Sequence, residues 1–162
     1  MRESMARLTP QFSAHRAVRE YTEQHYLPNA ATYRERLADQ GAPGREQAAW
    51  RQELDQVWGR LHFGECRVET TAEHRFEVQV YLQDLDPGKV AVELYADAPG
   101  ADAPPLRQPM TCIRQLVGAP GGYLYGATVA ADRPAEAFTA RLLPYRTGVA
   151  IPLECPHILW QR

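Results

Sequence analysis

The segment Phe76-Glu77-Val78-Gln79-Val80-Tyr81-Leu82 decides the fold of the second part of this chain. Apolar and polar side chains alternate along it, and the side chains of a β-strand point alternately to the two faces of a sheet. The segment is therefore predicted to be a strand with one buried face. The turn-forming sequence Asp86-Pro87-Gly88 follows it, and residues 90–95 repeat the alternation. We expect these two strands to form a hairpin or a near-neighbour pair.

The rest of the chain after residue 62 is also divided into short strands and turns. Strand-like composition recurs in residues 111–117, 123–129, 138–143 and 149–153. The first two of these strands are expected to pair through the glycine-rich connection 118–122. Pro144, Pro152 and Pro156 favour edge positions for the late strands, because proline cannot donate to a sheet ladder. Six or seven short strands within about 100 residues are typical of an antiparallel immunoglobulin-like β-sandwich, which we assign to residues 63–162.

Residues 1–62 carry helical periodicity instead. Ser13 is a suitable N-cap, because its hydroxyl can accept a hydrogen bond from a free N–H of the first helical turn. The helix that it begins is expected to end at Pro28, since proline has no N–H to donate. A second helix is expected from about Asn29 to Gly41, where glycine is a natural left-handed terminator.

A third helix is predicted from a continuous apolar stripe. The stripe consists of Trp50, Leu54, Val57, Trp58 and Leu61. Large aromatic side chains at helical spacing indicate core packing rather than a ligand site. The sequence therefore predicts an α+β protein with about three helices followed by the β-sandwich.

Composition excludes several kinds of chemistry. The 162 residues suit one domain, or one domain with an appendage, and the net charge of -2 argues against nucleic acid as a partner. Lys89 is the only lysine among 18 basic residues, and Ser4 and Ser13 are the only serines. A Schiff-base enzyme would need Lys89 and a serine hydrolase would need one of the two serines. Neither pattern is supported, so no catalytic residue is assigned.

The cysteines and the termini point to a cytoplasmic protein. Three widely spaced cysteines, Cys66, Cys112 and Cys155, do not form a disulfide framework. The charged N-terminus does not resemble a signal peptide, and no apolar run is long enough for a membrane helix. His62 with Cys66, and Cys155 with His157, could supply two Cys and two His, but their spacing is not that of a zinc site, so no metal is predicted.

Aromatic residues in the predicted strands suggest one kind of ligand. Tyr81, Tyr95, Tyr123 and Tyr125 could present ring faces to a sugar, with Trp160 beside them. Strand aromatics are more often core or cross-strand partners. These four tyrosines are candidates for contact with a carbohydrate, and the sequence does not locate the site further.

The beginning of the chain resembles one enzyme family. The block Arg2-Glu3-Ser4-Met5-Ala6-Arg7-Leu8-Thr9-Pro10-Gln11-Phe12-Ser13, followed by Arg16-Ala17-Val18-Arg19-Glu20-Tyr21, is similar to the C-terminal end of the catalytic core of bacterial α-glucan (glycogen or maltodextrin) phosphorylases. The later segments 76–82, 84–87, 92–97 and 158–162 are similar to the long C-terminal extension of one bacterial branch of that family. The resemblance implies that residues 1–62 are the end of the core with linker helices, and that residues 63–162 are an accessory β-sandwich.

Members of this family are glycosyltransferases that depend on pyridoxal phosphate and convert α-1,4-glucan to glucose 1-phosphate. Their cofactor lysine lies in a glycine-rich Asn-Met-Lys segment, which this chain lacks, and Lys89 does not match it. No cofactor-binding residue can therefore be assigned, and the chain is expected to be inactive alone, as a fragment or a truncated reading frame.

The resemblance implies a noncatalytic C-terminal portion of a phosphorylase that serves packing, assembly or glucan contact. Its expected partners are the upstream phosphorylase core, an α-glucan, and a second copy bound through the exposed first helix. The alternative is a stand-alone carbohydrate-binding or protein-interaction β-sandwich. Neither nucleic acid nor a membrane is expected as a partner.

Overall fold

The computed structural model describes residues 3, 12–98, 100 and 103–161. The chain divides into two units, residues 1–50 and 51–162. It is an α+β protein with one long helix and two antiparallel sheets of four strands each. Most of the opening block that carries the phosphorylase resemblance lies outside the described residues. No helix in the described ranges has the length and apolar character needed to cross a bilayer.

Within residues 12–98 the first helix is α1, which spans Ala14–Tyr21 and begins as predicted. The Ser13 hydroxyl accepts a hydrogen bond from the backbone N–H of Arg16 at 3.2 Å. A π-helical turn, Thr22–Tyr26, follows, and the long helix α2 then spans Leu27–Val57. The prediction that Pro28 ends a helix is wrong. The backbone stays right-handed helical at Tyr21, Thr22 and Leu27, so the helix continues through Pro28, directly after a π-helical turn where the regular hydrogen-bond ladder is already altered.

The backbone of α2 is interrupted at residues 38–41, which have non-helical dihedral angles. Gly41 has the left-handed conformation that was expected of it, with φ of 81°, but helical geometry resumes directly after it. The expected count of about three helices is therefore wrong, since in residues 12–98 a short α1 and a π-helical turn precede one long helix. A 3-10 turn, Trp58–Arg60, follows α2, and Leu54, Trp58 and Leu61 are buried, as predicted for the apolar stripe.

In the part of the chain that the structure describes, eight strands follow the helices. They are β1 His62–Thr70, β2 Glu73–Tyr81, β3 Val90–Ala96, β4 Leu106–Pro109, β5 Thr111–Gln115, β6 Gly122–Ala130, β7 Thr139–Pro144 and β8 Leu159–Trp160. The first sheet has the order β1-β2-β6-β5 and the second has the order β4-β3-β7-β8. Short 3-10 turns, Pro87–Lys89 and Ala135–Ala137, precede β3 and β7.

Strand pairing agrees with the sequence in one place and disagrees in another. β5 pairs with β6, as predicted. The predicted pairing of β2 with β3 is wrong, because β2 pairs with β1 and β6 whereas β3 pairs with β4 and β7. The connection between β2 and β3 carries Leu82 and Leu85, both buried, so it is anchored in the core and leads from one sheet to the other.

Two expectations about the end of the chain are also wrong. The predicted strand 149–153 is not formed, because residues 151–154 make a turn in which the Glu154 N–H donates to the Ala150 carbonyl at 2.9 Å. The strand that ends in Pro144 is not an edge strand, because β7 lies between β3 and β8. Pro144 is tolerated there because it is the last residue of β7, where the ladder ends.

Each sheet has one buried face. Residues 74, 76, 78 and 80 of β2 and residues 90, 92, 94 and 96 of β3 are all buried, in strict alternation. The rings of Phe76 and Phe138 lie 5.6 Å apart, so the buried faces of the two sheets contact each other. An immunoglobulin-like arrangement of these sheets stays a prediction at this point.

Candidate functional site

The outer face of the second sheet carries a buried ion pair. Glu93 of β3 and Arg141 of β7 lie directly opposite each other in the ladder, so their side chains project from the same face. The Glu93 carboxylate oxygen Oε1 accepts from Arg141 Nε at 2.6 Å and also from a terminal nitrogen of the same guanidinium. The side chains of Glu93 and Arg141 are only 16% and 11% exposed. Charges so far from water must be paired, so the geometry of each side chain depends on the other.

Two aromatic rings hold the guanidinium from the sides. The carbon of the Arg141 guanidinium lies 4.5 Å from the ring centre of Tyr95 and 5.1 Å from that of Trp160. The two rings meet edge to face at 5.4 Å. Tyr95 is two residues from Glu93 on β3, and Trp160 of β8 lies opposite Arg141 in the ladder. Arg141 is therefore fixed by one carboxylate and two π faces before any ligand arrives.

A cavity of about 490 Å³ adjoins this pair. Ala91, Glu93, Arg141 and Leu143 form its floor on the sheet, and residues from the segment 144–158 form its wall. Arg107 lines it from β4. The volume is within the range of small-molecule sites, which combine apolar walls with a few placed polar groups.

The four tyrosines predicted for glucan contact do not share a surface. Tyr95 lies on the outer face of the second sheet, beside Arg141. Tyr81 is half-buried on the outer face of the first sheet, where its ring stacks on His62 at 4.7 Å. Tyr123 and Tyr125 of β6 lie opposite Val80 and Val78, so they project toward the buried face. The four tyrosines therefore do not form one common site.

Tyr125 is the most enclosed of the four, with 5% of its surface exposed. It lines a second cavity of about 370 Å³ together with Met110 and Cys112. Burial raises the pKa of the Tyr125 phenol above its ordinary value of 10.0, and Cys112 adds to the effect. This phenol therefore stays neutral at physiological pH.

Lys89 is held in an ion pair. Its Nζ donates to both carboxylate oxygens of Glu53, at 2.7 and 2.5 Å. The side chain is thus engaged by a carboxylate of the same chain rather than presented to a cofactor. Lys89 therefore does not fit the role of the lysine that binds pyridoxal phosphate.

The residues weighed for zinc do not converge. His157 Nε2 lies 2.6 Å from Asp55 Oδ1 and its ring stacks on Trp58 at 5.0 Å. Cys155 is fully buried, and burial raises the pKa of its thiol, which disfavours the thiolate that a metal needs. Within the described part of the chain, no group of three or more His, Cys, Asp or Glu side chains is placed to hold a metal ion.

The sequence analysis did not identify the ion pair, although it named both of its aromatic neighbours, Tyr95 and Trp160. A weak signal exists, since Arg141 is a charged residue between Ala140 and Leu142 in a predicted strand. The partner could not be read, because Glu93 lies 48 residues away and the pairing of β3 with β7 is not encoded locally.

Comparison with known proteins shows a similarity to an enzyme. A stretch of 95 residues is 33% identical to maltodextrin phosphorylase from Thermococcus litoralis. It covers 59% of this chain but only 11% of that enzyme, so the match spans about a tenth of the enzyme's length. No protein-family model matches the chain. Part of the chain is therefore similar to a phosphorylase region.

Proposed function

We propose that this chain is a noncatalytic C-terminal portion of an α-glucan phosphorylase, with residues 1–62 as the end of the core and its linker helices and residues 63–162 as an accessory domain. The observation that carries this proposal is the identity of 33% over 95 residues to maltodextrin phosphorylase. The parent activity would be phosphorolysis of α-1,4-glucan to glucose 1-phosphate. The pairing of Lys89 with Glu53 supports a noncatalytic role, because no other lysine is present to hold pyridoxal phosphate.

We further propose that the accessory domain is an immunoglobulin-like sandwich. Strands named A to G in that fold form one sheet ordered A-B-E-D and another built on C-F-G. If β1 to β8 are named A, B, C, C′, D, E, F and G, the first sheet here reads A-B-E-D and the second C′-C-F-G. The sheet orders support the assignment of this fold.

The helical unit supplies a docking surface in this proposal. Val18, Tyr21, Tyr33 and Leu37 are each more than half exposed. Apolar side chains at this density on a helix are typical of an interface. The phosphorylase core is the partner that the sequence similarity favours, and without that core the same surface would drive self-association.

Glucan contact is the second part of the proposed role. Tyr95 and Tyr81 lie on outer sheet faces, whereas Tyr123 and Tyr125 project toward the core. We assign the first contact to Tyr95, because the Trp160 ring meets it edge to face and adds a second aromatic surface. The alternative of a stand-alone carbohydrate-binding module has the same support from this cluster.

Two measurements test the proposal. The DNA immediately upstream of the coding sequence should continue as an open frame that encodes a phosphorylase core with its cofactor lysine. Coexpression of that core with this chain should then recover a complex on an affinity column. Replacing Tyr33 and Leu37 by lysine should release the core, while Arg75→Gln, on the outer face of the first sheet, should not.

An upstream frame without a phosphorylase core would contradict the proposal, as would formation of glucose 1-phosphate from maltoheptaose and phosphate by the chain alone. Tight maltoheptaose binding that Tyr95→Ala removes, in a chain that does not capture the core, would establish the stand-alone alternative instead.

A further inference from the structure

We propose that the cavity on the outer face of the second sheet binds a small apolar carboxylate, with an apolar body against the sheet and a carboxylate facing the guanidinium of Arg107. This inference is independent of the phosphorylase relationship. It rests on the shape of the cavity, the chemistry of its walls and the balance of charge in its lining.

The walls select an apolar body. Ala91 and Leu143 lie on the floor, and Val149, Ile151 and Ile158 lie on the wall that the segment 144–158 builds. Aliphatic side chains and prolines make up most of the lining. A sugar, with hydroxyls around its ring, would leave most of its hydrogen-bonding groups unpaired against such walls, at a cost that disfavours it.

The charged groups of the lining select an anion. Arg107 and Arg141 line the cavity together with one carboxylate, Glu93. The charge of Glu93 is already opposed by Arg141, through hydrogen bonds from two guanidinium nitrogens. Arg107 is therefore the positive charge of the lining that a negatively charged ligand can meet.

Arg107 is the arginine placed to make the direct contact. It lies opposite Tyr95 in the β3–β4 ladder, so it projects from the same outer face as the ion pair. It is exposed at the edge strand and lines the cavity mouth. A planar guanidinium presents donors at the spacing of the two oxygens of a carboxylate, so one ligand carboxylate can accept two hydrogen bonds there.

The held ion pair contributes rigidity to the floor. Arg141 is fixed by Glu93, Tyr95 and Trp160, and Ala91 pairs with Leu143 two residues along the ladder, on the same face of the sheet. A floor whose side chains are already ordered loses little conformational entropy when a ligand binds. Because this cost is low, a small ligand with a single charged group can make enough contacts to bind.

The test compares three ligands that share one apolar body: phenylbutyrate, phenylbutanol and phenylbutylamine. Titration calorimetry of the full chain should show saturable binding of phenylbutyrate, at least about tenfold tighter than phenylbutanol, and no binding of phenylbutylamine. Arg107→Gln should weaken phenylbutyrate by about tenfold and leave phenylbutanol unchanged. Arg114→Gln is the matched control, since it changes an exposed arginine on β5, the edge strand of the other sheet.

A second variant tests the apolar part of the site. Ala91→Phe fills the floor and should abolish binding of both phenylbutyrate and phenylbutanol. If thermal unfolding shows that Ala91→Phe does not fold, Ile158→Trp is used in its place, because it narrows the cavity from the opposite wall. Failure of phenylbutyrate to bind the wild-type chain, equal affinity for phenylbutanol, or an unchanged affinity in Arg107→Gln would each overturn the proposal.

Discussion

The outer faces of the two sheets both carry ion pairs, but the pairs differ in kind. On the first sheet, Arg75 pairs with Glu77 and Arg67 pairs with Glu65, each between residues two apart on one strand. The arginine side chains of these pairs are 62% and 71% exposed. On the second sheet, Glu93 and Arg141 come from different strands and are nearly enclosed. Arginine and glutamate therefore form exposed pairs within one strand on the first sheet, and an enclosed pair that links two strands on the second.

Burial is the physical reason for the difference. In water, attraction between two charges is strongly screened, and a surface ion pair contributes about 0–1 kcal/mol. Out of water, each charge depends on its partner, because removal of one leaves the other without solvation. The cavity lies beside the enclosed pair. The face on which two charges are removed from water is therefore also the face that carries the candidate binding site.

The largest effect is expected when the enclosed pair is broken. Arg141→Ala leaves the Glu93 carboxylate half-buried without a partner and removes the contact of the guanidinium with Tyr95 and Trp160. We expect a loss of about 3 kcal/mol in the free energy of unfolding, measured by urea denaturation. The double variant Glu93→Leu with Arg141→Met should recover most of this loss, because it leaves no buried charge. A loss below about 1 kcal/mol in Arg141→Ala would place this pair with the exposed ones.

The sequence predicts those features of the fold and the site that depend on residues close together along the chain. Local features were predicted: the Ser13 cap, the alternation in β2 and β3, and the pairing of β5 with β6 across a short connection. These depend on residues within a few positions of each other. The sheet to which β3 belongs was not predicted, because that choice depends on where the buried leucines of the preceding connection pack.

The candidate site could be predicted only in its aromatic part. Tyr95 and Trp160 were singled out by residue type, but Glu93 and Arg141 were not, since strand registers over 48 residues bring them together. The short strand β8, which positions Trp160, has only two residues and no alternating pattern to reveal it. Residue type therefore suggested candidates, and tertiary pairing decided which of them lie together.

A smaller effect should distinguish the inward-facing Tyr125 from the outer faces. Because burial raises the pKa of Tyr125 in the folded chain, the unfolded chain loses this proton first as the pH rises. The associated stability is fully present below the ordinary pKa of 10.0 and is lost as the pH rises through the folded value. Tyr125→Phe should therefore show a shallower loss of stability than wild type between about pH 8 and about pH 11, measured by urea denaturation at each pH. If the free energy of unfolding falls equally with pH in the two chains, titration of the Tyr125 phenol does not contribute to stability.

The smallest effect is expected on the outer face of the first sheet. Arg75→Gln removes a pair whose donor and acceptor lie 3.5 Å apart, with the arginine largely in water. Water replaces the lost partner of Glu77, so the free energy of unfolding should change by less than about 0.5 kcal/mol. The same urea denaturation used for Arg141→Ala provides the measurement. Added salt should reduce even this small difference, because it screens exposed charges, and it should leave most of the Arg141→Ala loss in place. A loss in Arg75→Gln as large as that in Arg141→Ala would mean that burial does not separate the two faces, and the contrast between them would fail.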